Sequence, residues 1–312
     1  MLGVLDGFAV IGAVIAVGFT LAHTGVLTSE AQTLLARISF TVATPALLFQ
    51  LLSRTEIADV VSLSLAVTTL CIAIVASLYA VAARWWRRGL GPGVVGALCS
   101  AYVNAGNLGL PIAVYVLGDG TAVAPLIVLQ LSVVTPLALA LLDASARREG
   151  GDRPAFWSAA ARTVTTPLRN PVTVACFVGL LWAVTGWTAP TAVTGSLDLI
   201  AAMAIPSVLL AYGVSLRLGP RPIAGGDVVE LGVVCGLKLV VHPGLAYLLG
   251  RAFGLSGHAL LAVVVVAALP TAQNIFVYAT RYGQATVLAR DSIFVTTILS
   301  VPALLVTAAL LG

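Results

Sequence analysis

Asn104-Ala105-Gly106-Asn107-Leu108-Gly109-Leu110-Pro111 is the stretch on which the reading of this chain turns. It lies inside an apolar segment over 93–117. Such a segment is long enough to cross a bilayer, which takes about 20 helical residues. Two amides, two glycines and a proline are a poor way to build a plain anchor. Pro111 cannot donate an i→i−4 bond, and its ring crowds the preceding turn. Gly106 and Gly109 leave helical geometry at little steric cost. Backbone freed at membrane depth must be buried in protein or line a wet cavity. One reading is a simple kink whose asparagines glue neighbouring helices. The reading favoured here is a broken helix that lines a substrate site.

The chain has 312 residues, 60% hydrophobic and 9% charged, with mean hydropathy +1.07. Soluble domains carry about 25% charged residues. The composition therefore predicts a polytopic membrane protein without a soluble domain. Residues 1–22 lack a basic n-region and are not expected to be a signal peptide. Cys71, Cys99, Cys176 and Cys235 all fall in apolar segments without metal-ligand spacing, and read as small packing residues. The net charge of +4 sits in short loops and gives no reason to expect a nucleic-acid partner. No metal, cofactor or catalytic constellation is expected. His23 and His258 lie at span ends without the serine, metal motif or paired aspartates that intramembrane chemistry needs.

Ten spans are expected, over 4–22, 32–52, 59–83, 93–117, 121–142, 171–187, 196–216, 228–250, 257–280 and 286–310, numbered helices 1 to 10. A polar linker, 143–170, separates helices 5 and 6. With the N-terminus outside, thirteen of the fifteen arginines fall on the inner side, and only Arg54 and Arg251 on the outer. That bias predicts both termini outside and the linker in the cytoplasm of a cell-membrane protein.

The two halves share landmarks. Pro45, Asn107 and Pro136 recur as Pro206, Asn274 and Pro302 at similar spacing, and Tyr115 and Tyr282 each follow their asparagine by eight residues. Five spans per half, an odd number, would insert the second half upside down. The expected fold is all-α: ten transmembrane helices as two inverted five-helix repeats, 1–142 and 171–312, with broken helices 4 and 9 crossing near the midplane. Half-helix N-termini there carry partial positive charge and free N–H groups. Pro111 suits the first turn of a half-helix. The amides of Asn104, Asn107, Gln273 and Asn274 can donate or accept. Such a site favours a small anion such as a carboxylate.

Asn-Ala-Gly-Asn-Leu-Gly-Leu-Pro at the fourth of ten spans resembles the signature of the auxin efflux carrier family. Helix count, order and proline placement extend the resemblance over the whole chain. It implies a fold similar to sodium/proton antiporters and bile acid symporters. Helices 1, 2, 6 and 7 would be a scaffold, and helices 3–5 and 8–10 a moving transport domain. Members of the family export auxin or move dicarboxylates such as malate. The site positions it implies here are Asn104, Asn107, Pro111, Gln130, Pro270, Gln273 and Asn274. The chain departs from the family in three places. The linker lacks a long hydrophilic loop. Helix 9 carries Ala-Leu-Pro-Thr-Ala-Gln-Asn instead of a second signature. Helix 3 has no ionisable residue in its interior.

Lys238, mid-span in helix 8, is costly at depth and so a functional candidate. It either neutralises Glu230 or attracts an anion or takes part in proton coupling. His242, four residues on, shares its face and is either a hydrogen-bonded packing residue or a titrating one. Gln130 is either interhelical glue or a substrate contact, with Thr296 in the corresponding place of helix 10. Asp59, Asp198, Asp227 and Asp291 are expected to be solvated at span ends. With no acidic residue in either crossover, sodium coupling is less expected than proton coupling. The leading function is a secondary carrier of small organic anions. The alternatives are an anion channel, which conducts without saturating, and a membrane sensor, which binds without flux. A homodimer is compatible with either class.

Overall fold

The computed structural model describes residues 2–53, 62–118, 120–148, 171–185, 190–218 and 227–311. Residues 149–170, most of the expected linker with Arg153, Arg162 and Arg169, lie outside the described residues, as do Arg54, Asp59 and Arg221.

Apolar runs become helices because lipid offers the backbone no partner outside the segment itself. Helix α1 is Leu2–His23. It is followed by α2 (Ser29–Ser53), α3 (Leu63–Trp85), α4a (Leu90–Ala101), α4b (Ala105–Leu117) and α5 (Gly120–Ala146). Then come α6 (Pro171–Thr185), α7 (Thr191–Leu218), α8 (Val228–Ala252) and α9a (Gly257–Ala267). The series ends with α9b (Asn274–Tyr282) and α10 (Thr286–Leu311). Six of these, α2, α3, α5, α7, α8 and α10, are long and apolar enough to cross a membrane. The protein is an all-α polytopic membrane protein.

Prolines shape the helices in a regular way. Four π turns, Ser39–Ala43, Ala105–Gly109, Gln130–Val134 and Leu237–Val241, each end two residues before a proline: Pro45, Pro111, Pro136 and Pro243. Proline has no N–H for the carbonyl four residues back, and its ring strikes that carbonyl. The carbonyls concerned belong to Thr41, Asn107, Ser132 and Leu239, the middle residue of each π turn. Widening the turn moves the carbonyl off the ring and frees a backbone group. Pro302 is accommodated inside α10 without such a turn.

Contacts divide the chain into two compact units. The first holds Met1–Ser62, Gly106–Val128 and Pro167–Pro220. Within it α1 and α7 meet backbone to backbone. A Cβ on Gly213 would run into Ile15 O and the Phe19 nitrogen, and one on Gly18 into Leu210 O. Small residues serve this purpose in lipid, where dispersion and close approach replace the hydrophobic drive. Ser39 Oγ, buried at the start of its π turn, donates to Ala204 O at 3.1 Å. Gln50 Nε2 donates to Asp198 Oδ1 at 2.6 Å, so Asp198 is engaged by a neighbouring helix and not merely solvated.

The second unit holds Leu63–Ala105, Leu129–Thr166 and Arg221–Gly312. Its core gathers Tyr79, Val95, Cys99, Tyr102, Leu142, Ile275 and Ala289. Tyr79 is fully buried, and its hydroxyl donates to Glu230 Oε1 at 2.6 Å. Arg88 bridges Glu230 Oε2 and Asp227 Oδ2, the latter at 3.0 Å. Asp227 also caps α8, accepting from the backbone N–H groups of Val229 and Glu230. Expected to be solvated, it is instead held by a helix terminus and a guanidinium. Asp291 departs further: it is 2% exposed and paired with Arg290 at 2.7 Å. A carboxylate so buried persists only with such a partner.

Candidate functional site

Helix α4a stops at Ala101, where Tyr102 turns extended with φ −82° and ψ 117°. Residues 102–104 then run antiparallel to 270–272, with Val103 facing Thr271 in the one β-bridge among the described residues. The Asn104 N–H donates to Pro270 O at 2.8 Å, and the Ala272 N–H to Tyr102 O at 3.4 Å. Each interrupted helix thus satisfies the other's loose backbone, as burial requires. In an antiparallel pair the bridge residues' own groups point away. Gln130 Nε2 donates to Val103 O at 3.0 Å, and the Thr271 N–H donates to Thr296 Oγ1 at 3.1 Å. Gln130 and Thr296 were expected to correspond; each grips one arm of the crossing. Gln130 is 2% exposed, and its amide nitrogen is committed to this backbone.

The break comes earlier than the Asn-Gly-Pro stretch suggested. The chain is extended at 102–104 and helical again, as a π turn, from Ala105. Pro111 therefore stands seven residues into α4b, in the first turn of its α-helical part, which begins at Leu110 after the π turn. The second unit brings together Asn104, Gln130, Lys238, His242, Pro270, Gln273 and Asn274, whereas Asn107 and Pro111 belong to the first. Asn104 and Pro270 are buried; Gln273, Asn274 and Asn107 are half-buried; Pro111 is buried.

Asn274 opens α9b. Its Nδ2 donates to Tyr278 Oη at 3.1 Å and to Tyr102 Oη at 3.4 Å. Tyr102 Oη also meets Thr135 Oγ1 at 3.1 Å. Both amide protons are thus spent on phenols, which leaves the carbonyl oxygen as an acceptor. The proton that can point to a ligand is carried one step along, on Tyr278. Sequence reasoning missed Tyr102, Tyr278 and Thr135. The available signal was a buried tyrosine's need for a polar partner, with Tyr278 one helical turn beyond Asn274.

The two half-helices α4a and α9a end at the crossing, and each C-terminus carries partial negative charge. Thr271 Oγ1 donates to Cys99 O near the end of α4a at 2.6 Å. At the end of α9a the partner is a lysine: Lys238 Nζ donates to Ala267 O at 3.2 Å and lies 3.1 Å from His242 Nδ1. Lys238 and His242 are both fully buried. Glu230, the alternative partner considered for Lys238, is held by Arg88 and Tyr79 instead. Among the described residues no carboxylate pairs with Lys238.

A family model described as a membrane transport protein matches residues 7–308. The chain is 29% identical over 265 residues to a "Putative malonate transporter" of Rhizobium meliloti (strain 1021), covering 83% of this chain and 80% of that protein. It is 26% identical over 292 residues to an "Uncharacterized transporter" of Methanothermobacter thermautotrophicus, covering 92% and 91%. It is 34% identical over 169 residues to the "Probable auxin efflux carrier component 5c" of Oryza sativa subsp. japonica, covering 52% of this chain and 45% of the rice protein. These relatives are transporters, not enzymes. The chain belongs to this membrane transport protein family, which takes in the auxin efflux carriers.

Proposed function

We propose that the protein is a secondary carrier of small organic anions, mono- or dicarboxylates or auxin-like acids, working by alternating access with its substrate at the crossing of helices 4 and 9. The observation that carries this reading is the crossing itself. Two interrupted helices exchange backbone bonds there, and the same unit buries Lys238 with no acidic partner among the described residues. A buried amine gains from a mobile anion beside it, which offsets the cost of carrying a charge at that depth. Asn274 and Tyr278, with Asn104 and Gln273, supply the oriented polar groups. The names of the relatives agree in chemical class, since malonate and auxin are both carboxylates.

On this reading the two halves are inverted five-helix repeats, as in the bile acid symporter fold. Helices 1, 2, 6 and 7 form the scaffold and the rest the moving domain. Both termini face outward and the 143–170 linker faces the cytoplasm. Lys238 with His242 couples transport to protons more readily than to sodium. The test is flux of labelled malonate and a panel of aromatic carboxylates into proteoliposomes, with proton, sodium or no gradient. Saturable uptake driven by a proton gradient is expected. Unsaturable conductance, or binding without flux, would overturn the carrier reading.

A further inference from the structure

The second unit contains a cavity of about 610 Å³ that meets the crossing only at Tyr102. Its walls come from α3, α4a and the second half of α5, through residues such as Ile72, Ala76, Leu98, Ala101, Leu137 and Leu141. Leu137 and Leu141 are exposed in spite of their size. At one end stand Arg84, Arg87 and Arg88, and at the other Tyr102. Along α4a the lining runs from Leu90 to Ala101, which is about 16 Å at 1.5 Å per residue. One leaflet of the bilayer's hydrocarbon is about 15 Å deep, half of its roughly 30 Å core. The groove is therefore as long as one acyl layer, apolar along its length and basic at a single end.

The basic end has the marks of a headgroup level. Trp85 and Trp86 are exposed beside the arginines, and such rings settle at the membrane interface. Arg88 is spoken for by Asp227 and Glu230, whereas among the described residues Arg84 and Arg87 make no ion pair. Arg87 also stands just past the end of α3 with φ +54°, in the left-handed region where glycine is the default. The turn accepts a strained backbone and keeps a guanidinium at the mouth.

We propose that this groove holds an anionic phospholipid, its phosphate on Arg84 and Arg87 and an acyl chain along the walls toward Tyr102. A free carboxylate would gain from the arginines but leave the apolar length unused; a zwitterionic lipid would fill the length but gain less from the charge. Purified protein is exposed to equimolar phosphatidylglycerol and phosphatidylcholine, and retained lipid is read by native mass spectrometry. Wild type should retain phosphatidylglycerol in preference. The double variant Arg84→Gln with Arg87→Gly removes both charges while relaxing the turn, so it should stay folded. Its affinity for phosphatidylglycerol should fall about 30-fold, the equivalent of about 2 kcal/mol at about 1 kcal/mol per basic residue. Ala80→Phe, which narrows the groove from α3, should reduce retention of both lipids. Equal retention of the two lipids by wild type, or wild-type retention by the double variant, would overturn the proposal. So would displacement of phosphatidylglycerol by millimolar malonate with Ala80→Phe without effect, which would assign the arginines to free anions.

Discussion

Replacing Lys238 by methionine separates a functional lysine from a structural one. Methionine keeps the length and most of the volume of the side chain but removes the ammonium. The loss is the bond to Ala267 O, worth about 1.5–3 kcal/mol for a charged donor, and its interaction with the end of α9a, up to about 2 kcal/mol. The gain is relief from burying a polar amine, which costs several kcal/mol even after relaxation whenever it carries its proton. Lys238 is fully buried and, among the described residues, no carboxylate offsets it. Apolar replacements of buried ionic groups are often neutral or stabilising, by about 1–4 kcal/mol. Lys238→Met should therefore unfold at the wild-type temperature or above, measured on purified monodisperse protein. Its affinity for the substrate anion should nevertheless fall about 10- to 150-fold, the value of one bond or field contact to a charged partner. Lys238→Arg adds a second distinction. Arginine keeps the charge but cannot give up its proton, so it should bind substrate and fail in proton-driven uptake. A Lys238→Met protein that unfolds earlier and transports normally would refute the reasoning and make the lysine a helix cap.

Asn274→Leu should weaken substrate binding by about 10- to 150-fold, and Tyr278→Phe should reproduce much of that loss if the phenol delivers the donor; wild-type isotherms in both would remove this pair from the site. Thr296→Val strands the buried Thr271 N–H, so stability should drop by about 1–3 kcal/mol in a denaturation series. An unchanged midpoint would mean that another acceptor holds the crossing. Gly151→Cys, in the linker, should react with a membrane-impermeant thiol reagent only from the cytoplasmic side; labelling of intact cells from outside would invert the orientation.

Helix positions were legible because apolar runs of the right length have one fate in a bilayer. The start of α8 at Val228 and of α10 at Thr286 coincides with the reading. The break in helix 4 was visible as a composition fault, but its place was not. Tyr102-Val103-Asn104 has no local signal for an extended turn. That turn is fixed by Pro270 and Ala272, far along the chain. The same distance hid the partner of Glu230: Arg88 stands 142 residues earlier, and only the fold brings it within reach. Span-end aspartates looked solvated because a sequence does not show which helix end adjoins them. The π turns were barely legible: Pro111 alone was read as a disturbance, Pro45 and Pro136 served as repeat landmarks, and none announced a widened turn.

The two arms of the crossing exchange equivalent backbone bonds, yet a neutral hydroxyl tends the end of α4a and a lysine the end of α9a. A carrier built on a perfect two-fold would present the same affinity to either compartment. On the proposed two-fold Lys238 lies off the axis, so half-saturation from the two sides of the membrane must differ wherever it acts on the bound anion. That asymmetry cannot drive accumulation, since the ratio of forward to backward rates is fixed by the gradients alone. It sets instead the concentrations at which each face works, and so which compartment the carrier is matched to empty.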